Sequence, residues 1–190
     1  MLAYVFWHSP AGGVAPSMYE ELLTAFHRVL AVHAPSGFRG SAAFAFRSAP
    51  WFPAESGYLD WYEVEDFAGL GALNDAAVAG ARKDPHDKVA QLAGAGLGGL
   101  YRLVAGSADF AGVSIGTWFK KPDGMSYRSL IDQASMLIDP SSVGLWQRQM
   151  SLGPGLEFCI LSPDRVKTPE TFSPVTIDML NLFTNPKIPS

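Results

Sequence analysis

Tyr4-Val5-Phe6-Trp7-His8-Ser9-Pro10 runs through a Gly-rich turn into Ser17-Met18-Tyr19-Glu20-Glu21-Leu22, and a second stretch echoes it. Beyond Gly112, Gly116-Thr117-Trp118-Phe119-Lys120-Lys121-Pro122 runs through Asp123-Gly124 into Met125-Ser126-Tyr127-Arg128-Ser129-Leu130. Each copy is an aromatic strand, a turn closed by proline, and a helix opening on a tyrosine with a leucine three residues later. An internal repeat constrains architecture before any chemistry is read. In this alignment Lys120 stands where His8 stands in the first copy.

Working outward, Leu2–His8 reads as a strand with Tyr4, Phe6 and His8 on one face and Val5 and Trp7 on the other. Ser17 is placed to cap the next helix, with Glu20 completing a capping box. Leu22, Leu23, Phe26, Val29 and Leu30 form its apolar stripe. Phe38–Arg47 and Tyr58–Val64 read as strands two and three, joined by a long loop. On the third, Tyr58, Asp60, Tyr62 and Val64 oppose Leu59, Trp61 and Glu63. Phe67–Ala81 carries helical periodicity. Asp84 is placed as the N-cap of a further helix with Pro85 at its first position. Gly94–Gly99 reads as a flexible joint before a strand over Leu100–Ala105.

This βαββαβ order is the ferredoxin-like plan. The second half restarts it with strand Val113–Lys120, helix Tyr127–Leu137, strand Leu145–Met150, a Gly153-Pro154-Gly155 turn and strand Leu156–Leu161. Ser162–Pro174 is too short and Pro-rich for a full second helix. Val175–Phe183 reads either as a last strand or as a short helix. The expected fold class is α+β: two tandem ferredoxin-like repeats, residues 1–106 and 112–190, the second truncated, with antiparallel sheets forming a barrel-like unit. A ferredoxin-like sheet has helices on one face and a bare face that a second sheet can bury.

By element order, aromatic first strand and duplicated half, residues 1–161 resemble the dimeric α+β barrel superfamily. Its members include small monooxygenases, haem-degrading enzymes, chlorite dismutase-like, EthD-like and stress-responsive proteins. The resemblance implies a ligand pocket between a sheet and its helices, or within the barrel. Haem-degrading members resemble one another in an Asn, Trp and His arrangement. Here Asn74 lies in the second helical region and His86 follows it, which departs from that pattern. Haem therefore stands only as an alternative, and no cofactor is expected.

Composition narrows the function further. The 190 residues are 48% hydrophobic and 12% aromatic, ample for a packed core. A charged fraction of 17% is low and suggests a homodimer covering apolar surface. A net charge of −4 with scattered basic residues argues against nucleic acid. No apolar run reaches membrane-span length and no leader is visible, so a cytoplasmic location is expected. The single cysteine, Cys159, excludes an intrachain disulfide and reads as a buried thiol.

Four histidines, all in the first half, carry the candidate chemistry. His8, at a strand end beside a turn, suits a general base; its plainer reading is a hydrogen-bonded surface group. Tyr62 is placed as hydrogen-bond donor and Lys120 as anion stabiliser, a set suited to deprotonating a phenol or enol. Tyr4, Phe6, Asp60, Trp118 and Arg148 are candidate ligand-binding residues. Asp60, costly if buried alone, pairs with Arg47 or orients a pocket histidine. Arg148 with Glu157 reads most simply as a cross-strand pair. His27, His33 and His86 have structural readings at helix ends, and no histidine pair has metal-ligand spacing. The expected partner is a small apolar or aromatic molecule. It would be turned over by a cofactor-independent monooxygenase-like or EthD-like enzyme, or held by a non-catalytic binding or stress-response protein.

Overall fold

The structure is a computed structural model that describes residues 1–150 and 155–185. Its first half contains β1 (Leu2–Pro10), α1 (Pro16–Val32), β2 (Phe38–Phe46), β3 (Gly57–Val64), α2 (Phe67–Ala77), α3 (Lys83–Ala90) and β4 (Ala93–Gly106). The second contains β5 (Ile115–Phe119), α4 (Tyr127–Ser135), β6 (Gly144–Gln149), β7 (Phe158–Ser162) and β8 (Val175–Thr184). The eight strands close into an antiparallel barrel in the order β1-β3-β2-β8-β5-β7-β6-β4. Read from its fourth strand, each half runs 4-1-3-2, and the halves join at β2–β8 and β4–β6. Closure leaves no sheet edge exposed to pairing.

Period-two alternation divides each strand between lumen and helices. Val5 and Trp7 of β1 and Leu59 and Trp61 of β3 face inward. They meet Trp118 and Trp146 from the second half, with Trp51 packed against them. All five tryptophans of the chain therefore fill the lumen. Edge-on ring contacts such as Trp7 with Trp118 (5.1 Å) and Trp61 with Trp146 (5.3 Å) hold it. Burial of each such side chain is worth at least roughly 1.5–3 kcal/mol, so the lumen is a packed core and not a channel.

Outside the barrel, α1, α2 and α3 cover the first-half sheet and α4 covers the second. Val175–Thr184 is a strand, which resolves the open reading of that segment. A 3-10 turn, Glu170–Phe172, stands where a second helix would be.

Several local readings are corrected. α1 starts one residue before Ser17, with Pro16 in its first turn and Ala15 at the N-cap without a side-chain cap. Glu20 instead accepts a hydrogen bond from Tyr58 (3.1 Å). A 3-10 turn over Gly80–Arg82 runs straight into α3, so Asp84 lies inside the helix and Arg82 precedes it. Gly94–Gly99 is no joint but the first part of β4, with Gly96 opposite His8 and Gly98 opposite Phe6. A Cβ at Gly96 would lie 2.8 Å from the Phe6 ring, and one at Gly98 2.7 Å from the Tyr4 hydroxyl. These glycines let two aromatic rings lie across the neighbouring strand. Of the Gly153-Pro154-Gly155 turn, the first two residues lie outside the described residues.

Candidate active site

Between the first-half sheet and its three helices lies a cavity of about 770 Å³. Tyr4, Phe6 and His8 of β1 and Asp60 and Tyr62 of β3 form its floor. Tyr19, Leu23 and Phe26 of α1 form one wall. The remaining lining comes from α2 with Val78 just after it, from α3, and from Ala93 at the start of β4, with Asn74 and His86 its polar members there. The volume falls in the roughly 300–1,000 Å³ range of small-molecule sites.

The floor is built around one carboxylate. Asp60 is 2% exposed, His8 1% and His27 0%. Tyr62 donates to Asp60 Oδ2 (2.8 Å). His8 Nε2 stands 3.1 Å from the same oxygen, and His27 Nε2 3.3 Å from Oδ1. Both imidazole contacts are off the line of a full hydrogen bond, leaving His8 Nε2 and Asp60 Oδ1 with hydrogen-bonding capacity in hand. The outer nitrogens are held too: His8 Nδ1 meets the Tyr19 hydroxyl at 2.7 Å, and His27 Nδ1 meets Ser41 Oγ at 2.8 Å.

Burial by itself would raise the Asp60 carboxyl, but His8 and His27 outweigh it and hold it well below the usual carboxylate range. An ionised carboxylate only accepts, so an imidazole in its neutral form presents Nε2–H to Asp60 and a bare Nδ1 outward. In that form Tyr19 and Ser41 donate to those nitrogens. Burial first, and the Asp60 charge second, push the Tyr4, Tyr19 and Tyr62 hydroxyls up, so all three remain donors at neutral pH. The cluster can take up a proton as imidazolium and hydrogen-bond an oxyanion.

His8, Tyr62, Tyr4, Phe6 and Asp60 thus come together as expected from the sequence. Asp60 meets two histidines and not Arg47, which is exposed. Lys120 is not brought to the site; it is exposed just beyond β5 in the other half. Trp118 points into the lumen beside Trp7. Arg148 sits on β6, where its backbone N–H meets the Glu157 carbonyl (2.7 Å) and its side chain bonds the Gly155 carbonyl. The physical reason for the first two is register: the aligned copies differ by one residue in facing, and a one-residue slip moves every side chain to the opposite face.

Sequence reading missed His27, Ser41 and Tyr19 as members of the cluster. A signal for His27 was present, because it sits on the stripe of Leu23 and Leu30 at spacings of four and three. A histidine on a buried helix face and an aspartate on a buried strand each need a partner. His86 at the rim packs on Phe26 (5.6 Å) and places Nδ1 3.1 Å from Asp87 Oδ1. His33 is exposed. Among the described residues no cluster of ligating side chains has metal-site geometry.

Comparison with solved structures brings out a match along nearly the whole chain. An anthrone oxidase-like protein superposes with a TM-score of 0.58 at 9% identity, covering 96% of this chain and 92% of that one. The shared fold is a closed α+β barrel. A variant of chlorite dismutase from Candidatus Nitrospira defluvii aligns with a TM-score of 0.46 at 9% identity, covering 95% and 92% of the two chains. No family model and no curated protein matches the sequence. At this identity the likeness is one of fold, and the site of this α+β barrel must be read from its own residues.

Proposed function

We propose that the chain is a cofactor-independent enzyme, monooxygenase-like or EthD-like, acting on a small hydroxylated aromatic or polyketide-like molecule in the first-half cavity. The observation that carries this reading is the polar floor: a cavity walled by aromatic rings ends on an ionised Asp60 flanked by His8 and three tyrosine hydroxyls. A site serving only to hold an apolar ligand would have no use for a buried carboxylate, which costs stability unless paired. The second reading, a binding or stress-response protein, is therefore the weaker one.

In this mechanism the aromatic walls orient a planar substrate, His8 accepts its acidic proton, and Asp60 stabilises the imidazolium. The Tyr4 hydroxyl, on the same floor, takes over the anion-stabilising role expected of Lys120. The substrate anion is electron-rich enough to react with dioxygen. For an anthrone-like methylene the balance is CH₂ plus O₂ giving C=O plus H₂O, through a hydroperoxide that loses water. The proton held on His8 leaves with that water.

Haem fits the floor poorly, because every ring nitrogen of His8 and His27 has a protein polar atom within 3.3 Å, whereas an axial ligand needs an open approach to one. His86 is the remaining lining imidazole. Haemin titration of the wild type and of His86→Ala tests this alternative, and an unmoved Soret band removes it.

We further propose that the two halves act as units, residues 1–106 bearing the chemistry and 112–190 supporting them. A second copy of the chain is the proposed partner, covering exposed apolar side chains such as Val32, Met136 and Leu180; sedimentation showing only monomer ends that part. No described helix is long and apolar enough to cross a membrane. The test of activity is oxygen uptake with anthrone. The wild type is expected to consume one O₂ per quinone formed, and His8→Gln to lower the rate by about 10²–10⁴-fold. No uptake with anthrone or related phenols, despite binding, favours the non-catalytic reading.

A further inference from the structure

We propose that Tyr19 is the group that touches the substrate, and that His8 acts on the substrate proton through the Tyr19 hydroxyl. This rests on the small-aromatic reading of the cavity and adds to it which atom meets the substrate.

The argument comes from the two arms of the cluster. Asp60 lies between two imidazoles, and each imidazole turns its Nδ1 away toward a hydroxyl. The arms differ in where they end. His27 leads to Ser41 on β2, fully buried, and neither residue lines the cavity. His8 leads to Tyr19 on α1, and both line it. The His27 arm is closed, and the His8 arm opens on the site.

Both in-plane nitrogens of His8 face protein atoms, Nδ1 at 2.7 Å from Tyr19 and Nε2 at 3.1 Å from Asp60. A substrate therefore has no unobstructed lone pair on His8 to approach. The Tyr19 oxygen, donating its one proton to Nδ1, retains lone pairs for an incoming O–H. The transfer is concerted: the substrate proton passes to Tyr19 Oη as the Tyr19 proton passes to His8 Nδ1. Tyr19 ends neutral, His8 ends as imidazolium against Asp60, and the substrate ends as its anion. Charge and protons balance, and reversal returns the proton to the product. Burial and the nearby Asp60 charge keep Tyr19 protonated at rest, as a relay requires. Tyr58 packs on Tyr19 (5.1 Å) but directs its hydroxyl to Glu20, outside the path. His27 is a positioning residue, holding the second oxygen of Asp60.

The probe is 4-nitrophenol, whose anion is coloured, titrated with pH while bound to the full chain. The wild type is expected to bind it and to lower its apparent ionisation pH relative to the free phenol. Tyr19→Phe is expected to keep binding and to return that pH toward the free value by about one unit, a tenfold change in ionised fraction. Tyr58→Phe is expected to leave the ionisation in place. If Tyr19→Phe does not fold, difluorotyrosine placed at position 19 serves instead, and the ionisation pH must move with the acidity of that ring. Ionisation that survives Tyr19→Phe but is lost in His8→Gln overturns the relay alone and makes His8 the contact. A wild type that does not bind the phenol, or binds it without ionising it, overturns the reading of the cavity and the relay with it.

Discussion

The two halves share a strand order and differ in what lies between sheet and helices. In the first half, Tyr4, Phe6 and His8 of β1 and Asp60 and Tyr62 of β3 face the helices and floor a cavity. In the second, Phe119 of β5 and Phe158 and Ile160 of β7 face α4 and are packed solid. Phe172, from the 3-10 turn, stacks on Phe119 at 5.3 Å and fills the place a second helix would cover. The same sheet thus supports a hollow polar site or a filled apolar core. The choice turns on whether the segment after the third strand builds helices or a short plug. Hollowness costs contacts. The first half offsets that cost with paired polar groups, and the second avoids it.

The sharpest way to break this contrast is to remove the plug. Phe172→Ala is expected to cost about 3–5 kcal/mol in urea unfolding. Where it folds, it should open a second cavity that takes up apolar probes without ionising phenols. Asp60→Ala attacks the other side on a similar scale, about 3–5 kcal/mol, because two buried imidazoles and the Tyr62 hydroxyl lose their acceptor. It should also abolish phenol ionisation, which Phe172→Ala should leave intact. A smaller effect is expected from Gly98→Ala, whose new methyl meets the Tyr4 hydroxyl. We expect about 1–3 kcal/mol and a displaced Tyr4 ring, read by urea unfolding and weakened phenol binding.

The smallest and most diagnostic effect is pH dependence. Asp60 is depressed in the folded chain, so its contribution is present above the ordinary carboxylate value near 4 and is lost as pH falls below it. Tyr58, partly desolvated and beside Glu20, is raised to about 12. Its contribution is present below the ordinary tyrosine value near 10 and is lost as pH rises from there to about 12. The cluster under α4 is built of aliphatic and phenyl side chains, with Tyr127 packed on Phe158 at its exposed edge. Amide exchange should therefore quicken first in β1 and β3 at both extremes, with β5 and β7 lagging.

Much of this contrast was legible in the chain. Alternation in Tyr4–His8 and Tyr58–Val64 placed the floor residues on one face, and the shortness of Ser162–Pro174 foretold the missing helix. What was not legible depends on register and on distance in space. The repeat aligns Trp7 with Phe119, yet Trp7 faces the lumen and Phe119 faces α4, so Lys120 was credited with a place it does not have. Local patterns specify alternation but not its phase between two separated strands, which the barrel seams settle. His27 and Ser41 are joined by helix packing, which no short sequence window contains. Gly96 and Gly98 were read as flexibility because their role is defined by rings on a neighbouring strand.

The most direct test of the central claim, that chemistry resides in the first-half cavity alone, is a crystal structure of the chain with a fused-ring phenol such as 1-naphthol. One molecule should lie between the sheet and α1–α3, with its oxygen within hydrogen-bond distance of the Tyr19 hydroxyl. A ligand lodged beneath α4 or in the barrel lumen, or one turned with its oxygen away from the His8–Asp60–Tyr19 cluster, would contradict it.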